Sequence, residues 1–174
     1  MAVDEELVAL AKLGEDDAFS KLYASVYKDM YKYAYYMLGD AYDAEDVVSE
    51  TVLEMYSGIK SLRQNSLFSA WTFKILSNKC KRRRKQYLKK TISLDDEDQN
   101  IELYESQCDL ELKHDLEMAL DILSLEEREI VSLSVFCGYN SNEIGEILQI
   151  KPATARSKLS RALAKMQRKM KVQF

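Results

Sequence analysis

The sequence predicts an all-α protein: two small helical domains joined by an acidic linker. Three observations carry this. Five Gly and one Pro are spread over 174 residues, so few positions break a helix. Apolar residues recur at helical spacing through long stretches. Charge is segregated along the chain. Residues 74–90 hold nine cations and no acid, and residues 151–171 hold eight cations and no acid. Between them, residues 95–117 hold ten acids and one lysine. Two basic blocks flanking an acidic one imply two surfaces for nucleic acid and a segment that avoids it, although the net charge is -4.

The first domain is expected at 1–90. Asp4–Leu13 reads as a short amphipathic helix ended by Gly14. Asp16–Leu38 is a longer one, with Phe19, Leu22, Val26, Met30, Tyr33 and Met37 on one side and Gly39-Asp40 as its break. Residues 42–56 form the next helix. Its acids Asp43, Asp46, Glu50 and Glu54 make a stripe, while Ala44, Val48, Val52 and Met55 line another face. The stripe suits docking on a basic partner. It equally suits a solvated face whose early acids favour the positive end of the helix dipole, and both remain open at this point.

Gly58–Ser66 is a polar loop, and Ser66 can cap a helix from Leu67 to about Tyr87. Phe68, Trp71 and Ile75 fall on one line of that helix; Phe73, Leu76, Cys80 and Tyr87 fall on a second. This is more apolar surface than one seam requires. Rings beside Lys74, Lys79, Lys81, Arg82 and Arg83 suit single-stranded DNA, where bases stack on aromatics and cations hold phosphate. A core role for the rings and a solvated, dipole-favoured role for the cations also remains open.

Thr91–Cys108 is acidic and weakly periodic. It is long for a loop inside a compact domain, so 91–108 is assigned as linker. The second domain, 109–174, should hold helices at about 109–122, 125–136, 141–148 and 152–170. Ser124 with Glu127 three residues on suits a capping box, and Gly138 marks a helix end. Ser141 is placed to cap a short helix with Ile144, Ile147 and Leu148 on its buried face. After a tight turn at 149–151, Pro152 is suited to the first position of the last helix.

That last helix has an apolar seam of Ala155, Leu159, Ala162, Leu163 and Met166. Its other face carries Thr154, Arg156, Ser157, Lys158, Ser160 and Arg161. Cations that reach phosphates or guanine edges, interleaved with small hydroxyls, fit a major groove. An ordinary three-helix corner is the plain alternative. The turn length, the small Gly145 at contact distance and the acid-free second helix favour a helix-turn-helix.

Other classes recede. No apolar run approaches the roughly 20 residues that span a bilayer, and the start of the chain does not read as a secretory leader, so a cytoplasmic setting is expected. Cys80, Cys108 and Cys137 form no CxxC pair and His114 is the single histidine. Ordinary reduced thiols are expected, and no metal site. No nucleophile–base set and no phosphate-cradling glycine loop stand out, so neither catalysis nor a cofactor is expected.

At the level of motifs the chain resembles the sigma-70 family of RNA polymerase sigma factors, in its small extracytoplasmic-function (ECF) form, over about residues 15–170. The resemblance rests on Phe19 with Leu22-Tyr23, Leu38-Gly39-Asp40, the run Asp43–Thr51 (DAEDVVSET), and Phe68 with Trp71, Ile75 and Asn78. It continues through Leu123 with Leu125, Arg128-Glu129-Ile130, Ser141–Leu148, and Thr154–Ala162 (TARSKLSRA). It implies a non-enzymatic initiation subunit with core RNA polymerase and promoter DNA as partners and, by family analogy, an anti-sigma regulator. The first domain would be region 2. Its helix would dock on the polymerase through Asp43, Asp46, Val47, Glu50 and Thr51. The −10 element would be met by Arg63, Asn65, Ser66, Phe68, Trp71, Lys74, Asn78, Lys79, Arg82 and Arg83, with a flipped-out base captured at Arg63–Ser66. The second domain would be region 4, reading the −35 element as duplex.

Five departures bear on promoter sequence rather than role. Gln149 and Ala153 stand where many relatives have glycine. Ala155 replaces a common valine, and Lys79-Cys80-Lys81 alters the start of the basic helix end. Lys158 replaces a common arginine and cannot form the same bidentate fork. A stand-alone helix-turn-helix regulator is the alternative. It would carry a ligand or dimerisation domain where residues 1–90 carry an aromatic, basic helix. A nuclease with a helical DNA-binding tail would need the 43–54 acids as metal ligands.

Overall fold

The computed structural model describes residues 4–91 and 107–171; most of the expected linker lies outside the described residues. Among the described residues the chain is helical throughout, with no strand. Helix α1 (Glu5–Leu13) is capped by Asp4, whose side chain accepts from the amides of Glu6 and Leu7, and it closes at Gly14 with φ 97°. Helix α2 (Asp16–Leu38) ends at Gly39, φ 79°. Helix α3 (Ala41–Gly58) starts where Asp40 accepts from the Asp43 amide at 2.8 Å. Two single 3-10 turns, Ile59–Ser61 and Asn65–Leu67, lead into α4 (Phe68–Thr91). The first turn expected from a Ser66 cap is thus tightened into a 3-10 turn, a common way to enter a helix.

Helix α5 (Gln107–Asp121) is followed by α6 (Leu125–Val131), which begins with the Ser124–Glu127 capping box. The expected 125–136 helix is continuous but widens into a π turn over Ser132–Phe136. Helix α7 (Ser141–Leu148) is capped by Asn140 in a box with Glu143, not by Ser141. The Asn140 carboxamide accepts from two orphan amides, which a serine one residue later could not reach. Helix α8 (Pro152–Lys171) has Pro152 at its first position.

The α7–α8 turn is closely packed. A Cβ on Gly145 would stand 2.8 Å from the Ile150 carbonyl oxygen, so only glycine fits there. Gln149 takes φ 57°, the left-handed region where a side chain is strained.

The two helical domains share an interface. One core joins Leu22, Val26, Met30, Met55, Phe68 and Phe73 to Ile130, Leu133, Tyr139, Ile144 and Ile147 of the second domain. A second core, with Leu120, Leu123, Val131, Ala162 and Met166, has Tyr36 and Phe136 against it. Those two rings stack at 15° with centroids 3.5 Å apart. Phe73 meets Tyr33 and Tyr139 edge-on. Helix α4 therefore has neighbours on two sides, and both of its apolar lines are used.

Polar contacts cross the same seam. Glu129, 2% exposed, accepts from the Tyr33 hydroxyl at 3.1 Å and the Ser77 hydroxyl at 2.5 Å. Its other oxygen pairs with the Lys81 ammonium at 2.9 Å. Arg128, 3% exposed, donates to the Tyr36 carbonyl at 2.6 Å and pairs with Asp121 at 2.7 Å. Burial, then the neighbouring Arg84 charge, lowers the Arg128 pKa.

Candidate nucleic-acid and polymerase interfaces

Three surfaces emerge from these elements. The first is on α8. Arg156, Ser157, Ser160 and Arg161 are exposed, and Thr154 is half-buried beside them. Ala155, Ala162 and Met166 turn the opposite side into the core. The Ser157 hydroxyl donates to the Thr154 carbonyl at 3.0 Å and Arg161 Nε to the Ser157 carbonyl at 3.2 Å. These contacts hold the face in register without covering it. Lys158 differs from its neighbours, being ion-paired with Glu126 of α6. Lys165 pairs with Glu127 at 2.6 Å. That hydrogen bond, joined by those of the Ser124 cap, lowers the Glu127 pKa. The basic α8 is thus locked onto α6 by two acids that its own sequence does not reveal.

The second surface is on α4 and the loop before it. Arg63, Gln64 and Ser66 are exposed, and Asn65 is half-buried. Trp71 is half-buried, its ring edge 3.2 Å from where a Cβ on Gly58 would be. Trp71, Lys74, Ile75, Asn78, Lys79 and Arg82 line a cleft of about 520 Å³ with Glu54 at its rim. A ring plane flanked by cations is the pairing a melted strand needs. Lys74 and Asn78 also face a second cleft, about 430 Å³, across from Glu126, Glu129 and Ile147–Ile150. Phe68 is fully buried. Its ring is packed in the core beneath the surface in this conformation, whereas the other expected −10 residues keep exposed or half-buried positions.

The third surface is α3, and it is divided. The acidic stripe and the basic run of α4 face each other. Arg83 pairs with Asp43 at 2.6 Å, with Glu50 at 3.3 Å and with Asp46 at 3.7 Å. Lys79 pairs with Glu54 at 2.8 Å, and Arg82 with Glu50 at 3.3 Å. Tyr87 donates to Asp43 as well. Burial works against the Arg83 charge, but the charge and hydrogen bond of Asp43 outweigh it and its pKa is raised. Asp43 is itself buried. Val47 and Thr51 lie in the core, the Thr51 hydroxyl donating to the Val47 carbonyl at 2.7 Å. These three expected docking residues are buried in the isolated chain and brace the helix, with Val47 at the floor of a cleft beside Glu50, Lys79 and Arg83.

What α3 does present is Tyr42 (62% exposed), Glu45, Asp46, Ser49, Leu53 (72% exposed) and Tyr56. Their spacing puts them on one face. Tyr42 and Tyr56 were not singled out by the sequence. The available signal was that they sit off the Ala44–Val48–Met55 core line at helical intervals.

A helical domain with an aromatic, cationic cleft and a second with an exposed cationic helix face have the chemistry of the DNA-binding class of proteins. Residues 22–89 match the family model for sigma-70 region 2, and residues 113–166 match that for sigma-70 region 4. The chain is 28% identical to the ECF RNA polymerase sigma factor SigW of Bacillus subtilis, covering 92% of each chain. It is 32% identical to the RNA polymerase sigma factor SigV of the same organism, over 80% of this chain and 82% of that one. It is also similar to the solved sigma factor RpoE of Bartonella quintana, which is bound to the anti-sigma factor NepR, with TM-score 0.71 and 25% identity over 88% of this chain and 97% of that one. The chain belongs to the sigma-70 family of RNA polymerase sigma factors, in its ECF group.

Proposed function

We propose that this chain directs promoter-specific transcription initiation by bringing core RNA polymerase to DNA through the three surfaces above. The outer face of α3, with Asp46 at its centre, docks on the polymerase. The α8 face from Thr154 to Arg161 reads the −35 element as duplex. The loop Arg63–Ser66 and the Trp71 cleft hold the −10 strand once it is unpaired.

The observation that supports this best is the presence of two chemically distinct cationic surfaces on one chain. The α8 face is convex, hydroxyl-rich and without exposed rings, which suits a groove. The α4 cleft is concave and rimmed by an indole, which suits splayed bases. Strand opening is then driven by differential binding. Flipped bases and unpaired strand are held more tightly than duplex, and the chain itself hydrolyses nothing. Action on chromosomal promoters sets the work in the cytoplasm. No helix among the described residues is long and apolar enough to cross a membrane. An anti-sigma partner belongs to the proposal by likeness to the Bartonella quintana protein, whose solved structure is such a complex.

Run-off transcription with core polymerase on genomic fragments tests it. Discrete start sites are expected only when this chain is added. Absence of any chain-dependent start ends the proposal. Co-purification with core polymerase separates this function from that of a stand-alone regulator.

A further inference from the structure

The loop assigned above to the −10 strand is short and irregular. Residues 62–64 lie between two single 3-10 turns: the Leu62 amide donates to the Ile59 carbonyl at 3.1 Å, and the Leu67 and Phe68 amides donate to the Gln64 carbonyl, at 3.1 Å, and the Asn65 carbonyl. Leu62 has φ -65° and ψ 117°, which takes its carbonyl out of any helical ladder. Its side chain is buried, whereas Arg63, Gln64 and Ser66 are exposed. A segment outside any helical ladder loses backbone entropy when it is ordered, so contacts from elsewhere in the fold bear on how firmly it is held.

Helix α1, about fifty residues earlier in the chain, supplies a side-chain restraint on it. The Lys12 ammonium donates to the Leu62 carbonyl at 2.7 Å and to Asn65 Oδ1 at 3.2 Å. Asn65 in turn donates from Nδ2 to the Glu5 carbonyl at 3.2 Å. Both polar ends of the Asn65 carboxamide are thereby committed to α1. Lys12 sits in the last turn of its helix, before Gly14. There a cation is favoured by the helix dipole as well as by its two acceptors. Charge-assisted hydrogen bonds are stronger than neutral ones, and this pair ties one end of the loop to the other.

We propose that Lys12 is a positioning residue for base selection. It touches no DNA, but it fixes the loop so that Arg63 and Ser66 meet one flipped-out base of the −10 strand in a single geometry. This rests on the assignment of the loop to the −10 element. Without Lys12 the loop still carries the same groups but presents them in several arrangements. A site held loosely accepts more than one base, because discrimination depends on donor and acceptor placement.

The test uses the full chain with core polymerase and a pool of duplex promoters randomised through the −10 and −35 elements. Templates that yield RNA are sequenced, which gives a base preference at every position. Lys12→Met, which keeps the apolar stem, is expected to flatten the preference at one −10 position by about tenfold, the size of one good base contact. The −35 preferences should be unchanged, and Lys12→Arg should restore the lost one. Because a preference is a ratio within one reaction, loss of folded protein lowers all templates alike and leaves the ratio intact. If Lys12→Met reproduces every wild-type −10 preference, or weakens −10 and −35 preferences together, the role of Lys12 is overturned. A flat profile from the wild-type chain itself would overturn the −10 assignment and this role with it.

Discussion

Lys81 of α4 and Glu129 of α6 form a 2.9 Å ion pair that joins the two helical domains. The pair is asymmetric. The carboxylate is almost wholly buried, whereas the lysine is 38% exposed. Glu129 is satisfied by the Tyr33 and Ser77 hydroxyls in addition, so its desolvation is offset by three donors from the other domain. Substituting Glu129→Ala leaves those hydroxyls buried and unpaired. Each such group costs about 1–3 kcal/mol, and the domain interface should weaken in proportion. Small-angle scattering is expected to show a larger, more extended molecule, and an unchanged scattering profile would mean that the apolar core and the remaining polar contacts, Arg128 to the Tyr36 carbonyl among them, close the seam without Glu129.

Arg156 is exposed on the α8 face. Arg156→Ala should cost about 1–3 kcal/mol on promoters with the preferred −35 sequence and less on those with it scrambled. Filter binding of the holoenzyme to both DNAs measures this. Equal losses on the two would reduce Arg156 to a phosphate contact.

Asp46 is the outward member of the α3 stripe, its side chain 70% exposed and 3.7 Å from Arg83. An exposed pair of that length adds little stability. Asp46→Lys should therefore leave the melting temperature within a few degrees of wild type and abolish co-purification with core polymerase. Retention of the polymerase would remove the docking role from that face.

Glu127 has its pKa lowered, first by the Lys165 hydrogen bond and then by the Ser124 cap. A carboxylate depressed in the folded state stabilises that state above its unfolded pKa. The contribution is lost as pH falls through the folded value. Acid titration followed by circular dichroism should show stability falling below the ordinary carboxylate range, and Glu127→Gln should be less stable at neutral pH with a shallower acid dependence. An identical acid profile in the variant would contradict the Lys165 pairing.

Gln149 holds a left-handed backbone at the end of α7. Gln149→Gly removes a strain of roughly 1 kcal/mol, partly offset by the greater freedom of glycine in the unfolded chain. A small rise in the urea midpoint is expected. A fall would show that the Gln149 side chain contributes contacts that outweigh the strain.

The helices, their order and the helix-turn-helix were legible because each rests on local signals. Periodic apolar lines set α2, α3 and α8, and Gly39 and Pro152 mark ends that any chain would respect. What periodicity could not show is which element faces which. The acids of α3 and the cations of α4 look like two independent charged surfaces, yet Asp43 and Arg83 neutralise each other across forty residues. Phe68 and Trp71 share one line on α4, yet only the indole stays near solvent, because α2 and α7 enclose the helix from both sides. Lys12 carries no motif at all. Its role is written in the position of a carbonyl fifty residues away.

Lys74 and Asn78 are exposed and line both clefts along α4. The second cleft takes its far wall from Glu126, Glu129 and the end of α7, which belong to the other domain. The Trp71 cleft is built from α3 and α4 alone. Any change in how the two domains pack therefore reshapes the one cleft and leaves the other as it stands.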